Sequence, residues 1–295
     1  MSAIVISDLT KRIGKRSVFS NIDLEVIEGE FFALLGLEDS GKTTLARILF
    51  NYLKPAKGTV SIFDMDSSKD SKAIKESVSF VPEELLFQEN AKVINLLKTT
   101  LNMHNLKNSE EIDMLLDYFN LNPKLRVLDM DNSEKKIFSI INALIVKPRL
   151  LIMDEPTKYL SDSQVEKLFT YLNDLKVENS LTLFMLTNSL SEAQRFCDRV
   201  AYLHEGEIRG VEQLNNKAAN DKIIKIYSGI EDLTPFINIG AKIITSSEGN
   251  KILYYDKDMK NLSRVIYECE IDNYSIEDSS LSDKIEAYYS KKEEA

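Results

Sequence analysis

A doubly covered α/β sheet of mostly parallel strands is the fold class this sequence predicts, and three observations predict it. Strand-length apolar runs alternate with segments of helical spacing through the middle of the 295-residue chain, the order that builds parallel βαβ units. Two of those runs, FFALLG at 31–36 and RLLIM at 149–153, are apolar almost throughout, as strands covered on both faces are. The first of them leads directly into GLEDSGKT and an amphipathic segment, the strand–turn–helix order of a phosphate-holding loop.

Taken in order, AIVIS and VFSNIDLEVIEG alternate with period two and read as strands ahead of the core strand at 31–36. TTLARILFNYL has helical spacing and stops before Pro55, after which Gly58 turns the chain into the strand TVSIF. From QENAKVINLLKTTLNMHNL to SEEIDMLLDYFNL the pattern is helical, with Ser109-Glu110-Glu111 as a capped start and Pro123 ending the run. SEKKIFSIINALIVKP is a further helix, RLLIMDEP a buried strand ending in two acids and a proline, DSQVEKLFTYLNDLK a helix, and LTLFMLTN a strand. From about residue 211 the pattern becomes a small α+β appendage with a hairpin at Gly249-Asn250. The closing KKEEA frays.

Composition narrows the function. A net charge of −10, from 47 acidic and 37 basic residues, argues against a large nucleic-acid surface, which needs clustered Lys and Arg. Cys197 and Cys269 lack the paired spacing of a metal site or a disulfide framework, so a reduced, cytosolic setting is expected. The N-terminus lacks the shape of a secretory signal, and FFALLGL and FSIINALIV fall well short of the ~18 apolar residues of a membrane span. Any membrane role therefore goes through a partner. His104, in the polar connector LNMHNLKN, and His204, in the turn LHEGE, lack a constellation for metal binding or nucleophilic catalysis and read as surface residues.

The chemistry sits in two places. Gly36, Gly41, Lys42 and Thr43 match Gly, four residues, Gly-Lys-Thr, with Glu38, Asp39 and Ser40 inside the loop and Thr44 following. Such a loop turns backbone N–H groups toward phosphates, its lysine reaches the terminal phosphates, and its threonine hydroxyl holds Mg²⁺. The second place is Asp154-Glu155. Asp154 would orient a magnesium-bound water, and Glu155 would polarise the water that attacks a terminal phosphoryl group, because that chemistry depends on positioning and electrostatics.

With these motifs the sequence resembles the nucleotide-binding subunits of ATP-binding-cassette (ABC) transporters over about residues 3 to 210. PRLLIMDEPTKYL and CDRVAYLHEGEI are similar to that family's second phosphate motif and to the strand pair after its switch loop. The resemblance implies a P-loop NTPase core of ABC type, residues 1–210, whose mixed sheet has an antiparallel β edge. It also implies a helical subdomain at about 86–147, with the accessory α+β region at 211–295. ATP and Mg²⁺ are the implied cofactors, with ATP held head-to-tail between two such subunits. The implied partners are a second ATP-binding subunit, homo- or heterodimeric, and a separate membrane-spanning permease at the cytoplasmic face of the membrane.

Several positions depart from the family. The signature Leu-Ser-Gly-Gly-Gln falls on Met130, Asp131, Asn132, Ser133 and Glu134, so the surface that closes on the opposite subunit's γ-phosphate becomes acidic. The magnesium-sensing glutamine falls on Glu83, the switch histidine on Asn188, and the adenine-stacking aromatic on Ile13, with Phe19 as a substitute candidate. The aspartate after the second motif falls on Ser161, with Asp162 one position on. Asp39 occupies the middle-glycine position, and Asp and Asn tolerate left-handed backbone best among residues with a side chain. Its carboxylate either opposes a phosphate charge about 4 Å away, by roughly 1 kcal/mol in water and about 4 kcal/mol at an effective dielectric of 20, or points into screening solvent.

The pattern implies a degenerate ABC subunit that binds ATP and hydrolyses it poorly. The acidic SLSD stretch at 280–283 resembles the tail of subunits that serve exporters of peptides, antibiotics or lipid-linked glycans; it equally reads as a helix capped by Ser280 or Ser282. The other reading is a soluble ABC-type regulatory ATP-binding protein acting away from membranes.

Overall fold

The computed structural model describes residues 1–84, 90–107, 110–214, 221–227, 230, 232–247 and 250–289. The chain divides into two compact units, Met1–Asn188 with Phe196–Gln213, and Leu214–Ala295 with Ser189–Arg195.

In the first unit, β1 (Ser2–Ile13) and β2 (Arg16–Ile27) pair antiparallel as long strands, so the period-two runs at the N-terminus extend into one hairpin. β3 (Phe31–Gly36) is buried at every residue and runs through the loop into α1 (Lys42–Leu49). Helical spacing continues to Leu53, but α1 stops at Leu49 because Asn51 turns left-handed, with φ 57°, a common way to end a helix. β4 (Lys57–Ile62) and β5 (Met65–Asp66) add to the hairpin, and α2 (Ser71–Ser77) leads to β6 (Val78–Val81).

The helical insert follows as α3 (Val93–Met103), α4 (Glu110–Phe119), a 3₁₀ turn at Val127–Asp129 and α5 (Asn132–Leu144). Ser109, expected to cap α4, lies outside the described residues. α4 ends before Pro123, at Phe119, with Asn120 left-handed. The chain returns through β7 (Leu150–Asp154), α6 (Asp162–Asn179), β8 (Thr182–Thr187), α7 (Leu190–Phe196), β9 (Arg199–His204) and β10 (Glu207–Gln213).

Two sheets result. One is antiparallel, in the order β2-β1-β4-β5; the other runs β10-β9-β3-β8-β7-β6 and is parallel except for β10. Between them Ile4, Phe19, Leu24, Phe32, Leu34, Leu45, Ile48, Ile62 and Leu186 share one apolar core. The sheet order sets β8 between β3 and β7, so the loop after β3 and the acids at the end of β7 emerge on the same carboxyl edge, where open α/β sheets bind ligands.

Besides the α7 residues up to Arg195, the second unit is β11 (Lys222–Ile226), α8 (Thr234–Asn238), β12 (Lys242–Ser247), β13 (Asn250–Tyr255), α9 (Met259–Glu268), β14 (Tyr274–Asp278) and α10 (Leu281–Tyr289). Its antiparallel sheet has the order β12-β13-β11-β14, the split β-α-β-β-α-β plan. The β12–β13 hairpin closes through Ser247 opposite Asn250; Gly249 lies outside the described residues. Ile224, Ile226, Leu253 and Tyr255 pack with Phe236 and Leu262 on one face of the sheet. Tyr254 points the other way, edge-on to Tyr288 of α10. Ser280 caps α10, exchanging hydrogen bonds with Asp283.

Candidate functional site

The loop 36–41 is a tight backbone turn. Asp39 takes the left-handed conformation, φ 57°, that its position demands, and Gly41 takes φ 106°. A β-carbon on Gly41 would come within 2.8 Å of both the Phe19 ring and Val18, so only glycine lets the loop settle onto β2. Phe19 is thereby fully buried beneath the loop, which corrects its candidacy as an adenine platform: its π-face is used in packing. Arg16 Nη2 donates to the Asp39 carbonyl at 3.0 Å.

Lys42 is 7% exposed. Its ammonium donates to the carbonyls of Gly36 (2.7 Å) and Leu37 (3.1 Å) and lies 3.4 Å from Glu155 Oε1. Thr43 Oγ1 donates to Asp154 Oδ2 at 2.6 Å. Asp154 is 1% exposed, and its other carboxylate oxygen, Oδ1, is buried with no hydrogen-bond partner among the described residues. Burial pushes the Asp154 carboxyl above the usual carboxylate range, against the opposing pull of the Thr43 hydrogen bond.

Glu155 has a left-handed backbone, φ 43°. Its Oε2 accepts from Thr187 Oγ1 (3.2 Å) and from the Asn188 N–H (3.4 Å). Burial raises its pKa and the Lys42 charge opposes that rise. One quartet, buried at Lys42 and Asp154 and partly buried at Thr43 and Glu155, therefore joins the loop to the end of β7: an ammonium that suits phosphate and a hydroxyl that suits Mg²⁺, facing two acids.

Among the described residues no set of three or more His, Cys, Asp or Glu could hold a metal alone. Mg²⁺ does not need one: it keeps waters and is held by one or two protein oxygens plus substrate phosphates. The Thr43 hydroxyl, the Asp154 carboxylate and its unpartnered Oδ1 fit that ion.

The remaining sequence candidates fall as follows. Glu38 and Asp39 are exposed, so of the two readings of these acids the structure favours the solvent-facing one. Ser40 Oγ is buried without a hydrogen-bond partner among the described residues, and Thr44 is half-buried in the first turn of α1. Ile13 is 54% exposed at the tip of the β1–β2 hairpin. The Glu83 carboxylate binds Lys158 at 2.6 Å and makes no hydrogen bond to Thr43 or Asp154. Asn188 contacts Glu155 through its main-chain N–H, with its side chain exposed.

The segment expected to align with the signature has a structural occupation of its own. Met130 is buried. Asp131 caps α5: its Oδ1 accepts from the Glu134 N–H at 2.8 Å while Glu134 Oε2 accepts from the Asp131 N–H at 3.0 Å, a reciprocal capping box. Asn132 is exposed and Ser133 Oγ donates to Gln164 at 3.2 Å. Ser161 likewise caps α6 in a box with Gln164, and Asp162 is the exposed first residue of that helix.

One residue escaped sequence reading. Lys136, in the second turn of α5, is 3% exposed, and its ammonium donates to the main-chain oxygens of Pro82 (2.9 Å), Glu83 (3.0 Å) and Asp154 (3.2 Å). Burial lowers its pKa to about 8. It also lines a cleft of about 280 Å³ with Glu83, Glu84, Asn132 and Tyr159, to which the loop 36–41 contributes no lining residue.

Residues 19–158 match the family described as ABC transporter. The chain is 31% identical over 209 residues, 69% of its own length and 68% of the relative's, to the Nod factor export ATP-binding protein I of Rhizobium sp. (strain N33). It is 28% identical over 211 residues, 70% and 69% of the two lengths, to the bacitracin transport ATP-binding protein of Bacillus licheniformis. Among solved structures it is similar to the ATP-binding subunit of an ABC transporter, with TM-score 0.66, 23% identity, and 72% and 90% of the two chains covered. It is also similar to a dimeric ATP-binding cassette in a post-hydrolysis state bound to ADP and Pi, with TM-score 0.66, 22% identity, and 72% and 99% covered.

Proposed function

The chain belongs to the ABC transporter ATP-binding family, and on that premise we propose that it is the ATP-binding subunit of an exporter, closing on ATP and hydrolysing it slowly. The observation that carries this reading is the hydrogen-bonded and ion-paired quartet of Lys42, Thr43, Asp154 and Glu155. The loop amides and Lys42 bind the β- and γ-phosphates; Thr43 and Asp154 would hold Mg²⁺, which would supply charge neutralisation on the phosphates. Glu155, its carboxylate held by Thr187 and the Asn188 N–H, orients the attacking water and takes its proton.

Slow turnover follows from what surrounds the quartet. Asn188 brings no imidazole to the γ-phosphate, Glu83 is engaged by Lys158, and Asp131 has committed its carboxylate to its own helix, with Asn132 and Ser133 in place of flexible glycines. Closure on ATP, more than its hydrolysis, then drives the partner. No described helix is long and apolar enough to cross a membrane; in the proposed reading the work is transmitted to a separate permease from its cytoplasmic side. A second ATP-binding subunit, a copy or a more complete partner, supplies the facing signature. The printed roles of the two relatives, bacitracin transport and Nod factor export, support a cargo that is a peptide, an antibiotic or a lipid-linked molecule.

Two measurements test the reading. Calorimetry with Mg²⁺-ATP should give saturable binding, with turnover well below that of the same protein joined to its neighbour-encoded partner. Gentle solubilisation should co-purify a multi-span membrane protein. Ordinary transporter-level hydrolysis by the isolated chain, abolished by Glu155→Gln, would refute slow turnover.

A further inference from the structure

The peptide group between Asp154 and Glu155 is clamped at both ends. Its N–H, on Glu155, donates to the Leu186 carbonyl in β8 at 2.8 Å. Its oxygen, on Asp154, accepts from Lys136 Nζ in α5 at 3.2 Å. The clamp holds a peptide that would otherwise relax, because Glu155 at φ 43° sits in the left-handed region that a β-carbon disfavours. The direction of the Glu155 side chain, and so its reach to Lys42, Thr187 and the Asn188 N–H, is fixed by how that peptide is turned.

Lys136 is built for the clamp. An ammonium has three protons, and here they go to three main-chain oxygens from two segments: Pro82 and Glu83 after β6, and Asp154 at the end of β7. Charge-assisted bonds are roughly twice as strong as neutral ones, and the nearby carboxylates of Asp154, Glu83 and Glu155 support the buried positive charge while the Lys158 charge opposes it. The side chain approaches from the helix that Asp131 caps, so a residue of the helical insert reaches the strand end that carries the acids.

The geometry points to Lys136 as a positioning residue for phosphoryl transfer: from α5 it holds the strained Asp154–Glu155 peptide in the orientation that aims the Glu155 carboxylate. This rests on the function proposed above for Glu155, but the clamp itself is testable without turnover. Lys136→Met keeps the apolar stem and removes every donor; Lys136→Gln removes the charge and keeps two donors.

Amide exchange at Glu155 in the full chain is the first readout, and we expect it to speed about tenfold or more in Lys136→Met, the loss of a charge-assisted bond, and by less in Lys136→Gln. The second readout separates binding from chemistry. Mg²⁺-ATP affinity of Lys136→Met should stay within about threefold of wild type while the single-turnover rate falls about tenfold or more, with partial recovery in Lys136→Gln. Unchanged Glu155 exchange in Lys136→Met overturns the inference. So does an equal fall in affinity and rate in both variants, the mark of general loosening. If Lys136→Met fails to fold, Lys136→Gln decides: Glu155 exchange no faster than wild type refutes the clamp. A wild-type chain that neither binds nor hydrolyses ATP would count against the proposed function, with the exchange result still standing on its own.

Discussion

Thr43 Oγ1 donates to Asp154 Oδ2 across 2.6 Å, tying the first turn of α1 to the end of β7 beside a carboxylate oxygen that has no hydrogen-bond partner among the described residues. Burial disfavours the charged form of Asp154. Asp154→Asn should therefore raise the melting temperature of the protein without added nucleotide while abolishing the Mg²⁺ dependence of ATP binding. Thr43→Val, which keeps the shape and drops the hydroxyl, should weaken Mg²⁺-ATP binding about tenfold, the scale of a hydrogen bond to a charged group. Melting scans and calorimetry with and without Mg²⁺ check both.

Asp39 separates backbone tolerance from charge. Asp39→Gly should fold without penalty at φ 57° and tighten ATP binding by no more than a few-fold, an increment that disappears at about 1 M salt, where screening acts over ~3 Å. Asp39→Val should cost about 1–2 kcal/mol of stability, because a β-branched residue resists the left-handed region. Denaturant titration and ATP affinity across a salt series read the two effects apart.

Lys284 and Asp221 form a buried ion pair at 3.1 Å, with side chains 4% and 8% exposed, and the Tyr254 hydroxyl donates to the same carboxylate. Lys284→Met leaves that carboxylate without its cation and should destabilise the second unit by about 3–5 kcal/mol, the usual cost of breaking a buried pair from one side. Adding Asp221→Asn should recover most of the loss. Urea unfolding of the full chain, followed by tyrosine fluorescence, distinguishes the single from the double variant.

Burial raises the phenol of Tyr171 to about 12, and burial beside Asp221 also raises that of Tyr254. A phenol harder to ionise in the folded chain binds its proton more tightly there than in the unfolded chain, where it titrates near 10. Its stabilising contribution is complete below pH ~10 and is lost as pH climbs toward the folded value. The melting temperature should fall between about pH 10 and 12, and Tyr171→Phe should flatten that fall. A melting series across this range that showed wild type and Tyr171→Phe losing stability in parallel would contradict the assignment.

What the sequence disclosed is what periodicity and turn chemistry encode. Phe31–Gly36 and Leu150–Met153 announced themselves by unbroken apolarity, and Gly36, Gly41, Lys42 and Thr43 by their spacing. Asp39 was legible too, since few side chains tolerate its backbone. Asp131 was read only as a lost donor, although Asp131-x-x-Glu134 before an apolar run is itself a capping box. Lys136 was opaque for a deeper reason. A lysine next to another lysine reads as solvated, and the carbonyls that bury it come from residues 82–83 and 154, distant in sequence. The only local hint is the small face continuing it, Ser139 and Ala143, three and seven residues on. In the second unit the strand pattern was visible, but the split pairing order depends on long-range partners that no local window contains.

Lys42 already spends its protons inside the protein, on Gly36 and Leu37 oxygens and against Glu155. On the function proposed above, nucleotide capture would be an exchange of partners: each phosphate oxygen that recruits the lysine would evict an internal acceptor, and Glu155 would give up its counter-charge at the moment it is asked to act as a base. The same contact that lowers the net gain on docking would thus set the glutamate's basicity by whether the ligand has arrived.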